Sequence, residues 1–74
     1  MPTIDLPATG ENIRTIMAAN NVTAADIADM LGFTTRNAVY RWLRGETLPT
    51  IDNLVILAAV LNTTLNDLII IRVG

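Results

Sequence analysis

Hydrophobic positions recur along most of this 74-residue chain at the three-and-four spacing of helices that bury one stripe. Ile13, Ile16 and Met17 form the first stripe, within Thr9 to Asn20, and Asn20-Asn21 ends it because Asn tolerates the left-handed conformation. Thr23 with Asp26 three residues on is a capping-box-like start, followed by Ile27, Ala28 and Leu31 as the stripe of a two-turn helix that Gly32 stops. Thr34 or Thr35 can cap a third helix running to Arg44, with Val39, Trp42 and Leu43 inward and Gly45 as its stop. Thr50 and Asn53 open a fourth after Pro49, and Thr64 with Asp67 opens a short fifth. The predicted helices span about 9–20, 24–31, 35–44, 51–61 and 65–69.

The two ends follow another pattern. Thr3 to Leu6 alternates and is closed by Pro7, which predicts a strand or extended arm over residues 1–8. The tail from residue 70 to 74 continues a β-branched run, Ile69-Ile70-Ile71-Arg72-Val73, that suits a strand better than a helix. It can pair with Thr3 to Leu6 or take part in a contact with another subunit. The fold class is therefore all-α, a five-helix bundle, with a short β pairing of the terminal segments left open.

Composition narrows the function. The chain has room for one small domain, and with no Cys and no His it lacks disulfides, zinc ligands, a thiol nucleophile and an imidazole base. An enzyme is not expected, and no cofactor, metal or small-molecule ligand is implied. Asp26 and Asp29 lie close together but have no third ligand, and Asp26 is better used as the partner of Thr23. The longest apolar run, Leu54 to Leu61, has eight residues, well short of the roughly 20 of a membrane helix. The start Met-Pro-Thr-Ile-Asp is unlike a signal peptide, so a soluble cytoplasmic protein is expected.

Net charge is -2, and all five basic residues are Arg. Their distribution matters more than the total, because Met30 to Gly45 holds three Arg and no acid, a local +3 against -5 for the remainder. Two short helices joined by a Gly-containing turn, the second rich in Arg, Asn and Thr, suit insertion into a DNA major groove. Arg donates two bonds to the acceptor edge of guanine, and Asn makes a donor–acceptor pair with adenine. With Val39, Trp42 and Leu43 inward, Arg36, Asn37, Tyr40, Arg41 and Arg44 share the outer surface.

These residues resemble the Cro/C1-type helix-turn-helix domains of phage repressors and bacterial regulators, a lambda-repressor-like, XRE-like fold. The resemblance covers Gly10 to Ile69 and rests on Val22-Thr23, Leu31-Gly32-Phe33-Thr34 at the turn, Val39 and Trp42, Gly45, Pro49 to Leu54, and Leu65 to Leu68. It implies that Thr35, Arg36, Asn37 and Arg41 read bases and that Arg44 contacts phosphate. The turn between Gly32 and Trp42 is one residue longer than the common pattern, which brings Thr34 into the same candidate set; Tyr40 is either a DNA contact or a half-exposed ring. Two further departures are visible. Ala24 stands where the family usually has a phosphate-binding Gln, and Leu43 and Met17 stand where many members pair a Glu with an Arg. Exchanging both partners of a buried ion pair for apolar residues is tolerable where losing one is not, so Met17 is predicted to contact Leu43.

The fourth helix carries more apolar residues than one stripe needs. Leu54, Leu57, Ala58 and Leu61 fill the stripe, leaving Val55, Ile56, Ala59 and Val60 to be covered, with Ile70, by a second subunit or by the N-terminal arm. A two-fold dimer would set two third helices roughly 34 Å apart and require a palindromic operator. The expected function is sequence-specific binding of double-stranded DNA as a small transcriptional regulator, repressor-like and dimeric. The alternative is a protein–protein interaction module that keeps the fold without DNA binding, which the acidic total, the absence of Lys and Ala24 permit.

Overall fold

Sequence pattern predicts an extended segment through residue 8, yet the first helix, α1, begins earlier and spans Leu6–Ala19. In the computed structural model, which describes residues 1–74, Asp5 caps this helix by accepting from the Ala8 N–H at 3.0 Å. Pro7 sits in the first turn, where its missing N–H costs nothing and its fixed φ is already helical. Pro7 therefore helps to start a helix instead of closing a strand. The remaining elements are α2 (Ala24–Leu31), α3 (Asn37–Leu43), α4 (Ile51–Val60) and α5 (Leu65–Leu68), flanked by β1 (Pro2–Ile4) and β2 (Ile71–Val73).

Thr residues set three of the helix starts. Thr23 accepts from the Asp26 N–H at 3.2 Å while the Asp26 carboxylate accepts from the Thr23 N–H at 2.9 Å, which holds the Asp26 pKa below its ordinary value. Thr50 and Thr64 accept from the N–H groups of Asn53 and Asp67 at 3.3 and 3.2 Å. Helix α3 differs: Thr35 Oγ1 turns to the Asn37 N–H at 3.3 Å, only two residues on, and Arg36 occupies the cap position without a side-chain bond. The predicted start at residue 35 thus moves to Asn37, and Thr34 and Thr35 belong to the turn.

The inner stripes converge on a core of 13 apolar residues contributed by all five helices, from Ile13 to Leu68. Met17 and Leu43 are both buried in it, so the apolar pair does occupy the interior where an ion pair would otherwise lie. Trp42 is only 6% exposed, and Phe33 packs edge-on against it at 5.8 Å between ring centres and 67° between planes. Helix α1 crosses the end of α3 with backbone against backbone. A Cβ on Gly10 would lie 2.5 Å from the Trp42 carbonyl oxygen and 2.6 Å from that of Leu43, so only glycine permits this approach.

The ends close on each other. Strands β1 and β2 pair antiparallel with Pro2, Thr3 and Ile4 opposite Val73, Arg72 and Ile71, and the Met1 ammonium donates to the Gly74 carbonyl at 3.0 Å. The Asp5 N–H donates to the Ile70 carbonyl at 2.8 Å, and the buried Thr9 hydroxyl accepts from the Ile70 N–H at 3.0 Å. Asn12 adds bonds from its amide to the carbonyls of Asp67 and Leu68 at 2.7 and 3.0 Å, satisfying groups left over at the end of α5. The N-terminal segment thus pairs with the tail and α5, while Val55 and Ile56 on α4 stay exposed.

Candidate nucleic-acid interface

Three local closures build the surface that the basic residues occupy. Gly32, left-handed at φ 73°, ends α2, and the Phe33 N–H returns to the Ala28 carbonyl at 2.8 Å, which turns the chain sharply toward α3. Phe33 then locks this turn onto Trp42. At the other end of α3, the Gly45 N–H bonds the Trp42 carbonyl at 3.0 Å and the Glu46 N–H bonds the Arg41 carbonyl at 2.9 Å. Helix α3 is therefore held at both ends by backbone geometry and beneath by Val39, Trp42 and Leu43, all buried.

The polar residues of α3 and of the turn before it face outward. Thr34, Thr35, Arg36, Asn37, Tyr40, Arg41 and Arg44 are all exposed, and Ala38 is half-buried. The first five border an open recess of about 440 Å³ between α2 and the head of α3, whose α2 side is formed by Ala25, Ala28 and Asp29. Arg41 and Arg44 lie outside the recess, toward the C-terminal end. With its side chains an α-helix is about 10–12 Å across, which matches the roughly 12 Å width of a major groove.

The electrostatics of that C-terminal end differ from a simple count over Met30 to Gly45. Glu46, the next residue, divides its carboxylate between two guanidiniums: Oε1 lies 3.8 Å from Arg41 Nε, and Oε2 accepts a hydrogen bond from Arg44 Nε. The bond with Arg44 holds the Glu46 carboxyl below its ordinary pKa and raises that of the Arg44 guanidinium. The expectation that the Arg trio has no acid nearby is therefore corrected, because the closure that follows Gly45 turns Glu46 back onto the helix. Arg36 alone of the three makes no ion pair. The basic patch is real, but one acid is built into it.

A second surface lies on α4. Val55 and Ile56 are 53% and 41% exposed and Ala59 is exposed, while Val60 is half-buried. Met30 of α2 is also exposed and, with Ile27, Leu31, Ile56, Leu57 and Val60, lines a shallow all-apolar depression. Met30 of α2 and Ile51, exposed at the head of α4, add to the apolar set that the sequence pattern gave. Ile70 is exposed as well, its backbone tied to Thr9 on α1. No helix of the structure is long and apolar enough to cross a membrane.

Comparison with known proteins agrees with this arrangement. The crystal structure of the restriction-modification controller protein C.AhdI from Aeromonas hydrophila superposes with a TM-score of 0.74 at 25% identity, covering 86% of this chain and 96% of that one. No curated protein matches at a significant level. The helix-turn-helix family model matches residues 13–68, from the middle of α1 to the end of α5. The chain belongs to the Cro/C1-type helix-turn-helix family and is a DNA-binding transcriptional regulator.

Proposed function

We propose that the protein binds a specific double-stranded DNA sequence as a homodimer, with α3 in the major groove of each half-site. One observation carries this reading: burial of Val39, Trp42 and Leu43 leaves Arg36, Asn37, Tyr40, Arg41 and Arg44 together on one outward surface. Arg36 and Asn37 at the head of α3, with Thr34 and Thr35 in the turn, and Arg41 one turn on are the base readers. Arg44 holds phosphate and supplies salt-dependent affinity. In this arrangement α3 enters the groove and α2 crosses the backbone, which the turn between them supports.

Dimerisation rests on the apolar surface of α4. Val55, Ile56, Ala59 and Val60, joined by Met30, form the contact, and its two-fold symmetry makes the operator palindromic. Ile70, exposed just before β2, joins the contact from the C-terminal tail. Occupying a promoter in this way represses by excluding polymerase, within the cytoplasm, and the likeness to a restriction-modification controller supports the regulatory reading.

Selection from a random duplex library at about 50 and 150 mM salt tests the reading, since phosphate contacts require affinity to fall as salt rises. The expected result is a palindromic motif with a steep salt slope. No enrichment at either salt by folded protein would overturn it in favour of a protein partner at α4.

A further inference from the structure

We propose that Glu46 is a specificity-determining residue, which penalises binding to duplexes of arbitrary sequence more than binding to the operator. The inference rests on the DNA-binding reading above. Its basis is the arrangement at the end of α3, where the Glu46 N–H is tied to the Arg41 carbonyl at 2.9 Å and the carboxylate accepts from Arg44 Nε and forms an ion pair with Arg41, whose Nε lies 3.8 Å away. Both guanidiniums are engaged through Nε, which leaves their terminal nitrogens, four N–H donors on each, free to point at DNA.

A duplex of arbitrary sequence offers this end of the helix phosphates and little else. To bind them fully, Arg41 and Arg44 must exchange one anionic oxygen for another while the displaced carboxylate stays close by and repels the backbone. That exchange gains little. An operator with guanine under Arg41 offers that side chain instead the uncharged N7 and O6 acceptors, which its terminal nitrogens reach while Nε stays beside Glu46, so that only Arg44 meets phosphate there whereas both do on an arbitrary duplex. The carboxylate then holds the reading side chain in place and is not expelled. Glu46 thus lowers non-specific affinity and widens the gap to the specific site.

The test compares Glu46→Gln with Glu11→Gln, which removes the same charge from α1, where Glu11 faces Arg14 at 3.9 Å. Affinities are measured for the duplex recovered by selection and for a scrambled duplex of equal length and composition, across about 50 to 200 mM salt. For Glu46→Gln we expect binding to the scrambled duplex to tighten about tenfold, with a salt slope steeper by about 0.9, the value for one more neutralised phosphate. Binding to the selected duplex should change by less than about threefold, so the ratio of the two falls, while Glu11→Gln leaves the ratio unchanged. Specific binding by the parent protein with an unaltered ratio in Glu46→Gln, or an equal fall in Glu11→Gln, would overturn the role of Glu46 alone. Failure of the parent protein to bind either duplex would overturn the DNA reading and this role with it.

Discussion

Helix α3 buries Val39, Trp42 and Leu43, and α4 buries Leu54, Leu57 and Ala58, so from the inside the two are interchangeable in kind. Outside, α3 shows Arg36, Asn37, Tyr40, Arg41 and Arg44, whereas α4 shows Val55, Ile56 and Ala59 with a single acid, Asp52, in its first turn. The inner residues specify the bundle and say nothing of its use. The outer residues separate one surface that prefers a charged, hydrated partner from one that prefers to leave water.

The strongest challenge to this division is Trp42→Ala. As an inner residue, Trp42 should cost about 3 to 5 kcal/mol, comparable with the whole stability of a domain this small, and urea or thermal unfolding followed by circular dichroism should show it. A protein that stays folded and loses only DNA binding would move Trp42 to the outer surface. Next in size, Arg41→Ala should weaken binding to the selected duplex by about 1 to 3 kcal/mol with no change in thermal midpoint or oligomeric state. Val55→Asp should do the reverse, shifting sedimentation toward monomer and lowering affinity for a two-half-site duplex about tenfold, about 1.4 kcal/mol, while a lone half-site binds as before. If Val55→Asp leaves the oligomeric state alone, α4 is not the contact.

The smallest effect concerns the support beneath both surfaces. Thr23→Ala should cost about 1 kcal/mol and lower the thermal midpoint by about 4 to 8 °C, since it opens the box that starts α2. The partner Asp26 has a pKa lower folded than unfolded, so its contribution is present above the ordinary aspartate value of 3.8 and is lost as pH falls through the depressed one. Stability curves of the parent protein and Asp26→Asn should therefore separate at neutral pH and converge in acid.

Features set by local period were legible in the sequence: the stripes of the helices, the Gly32 stop, the Thr23 box and the inward trio of α3. Competing local rules were harder. Pro7 ends a strand or opens a helix with equal right, and only the bond from the Ala8 N–H to Asp5 decides for the helix. Thr35 likewise suits a helix cap or a turn, and its Oγ1 accepts from the Asn37 N–H only two residues on. Roles that depend on distant partners left no local trace: Thr9 meets Ile70 and Asn12 meets Leu68 across 61 and 56 positions of chain. Glu46 is the instructive case at the candidate site, for it stands one residue past the basic window, and only the backbone closure after Gly45 brings its charge back onto Arg41 and Arg44.

The bond between Met1 and Gly74 makes the backbone almost a ring. A short linker could join those ends, and the chain could be opened anew at Asn62, an exposed residue in the left-handed conformation between α4 and α5. Such a permuted protein would begin with α5 and finish with α4, keeping α2, its turn and α3 as one uninterrupted stretch. The order in which the elements are synthesised is thus separable from the arrangement they reach, so long as the stretch from Thr23 to Glu46 remains unbroken.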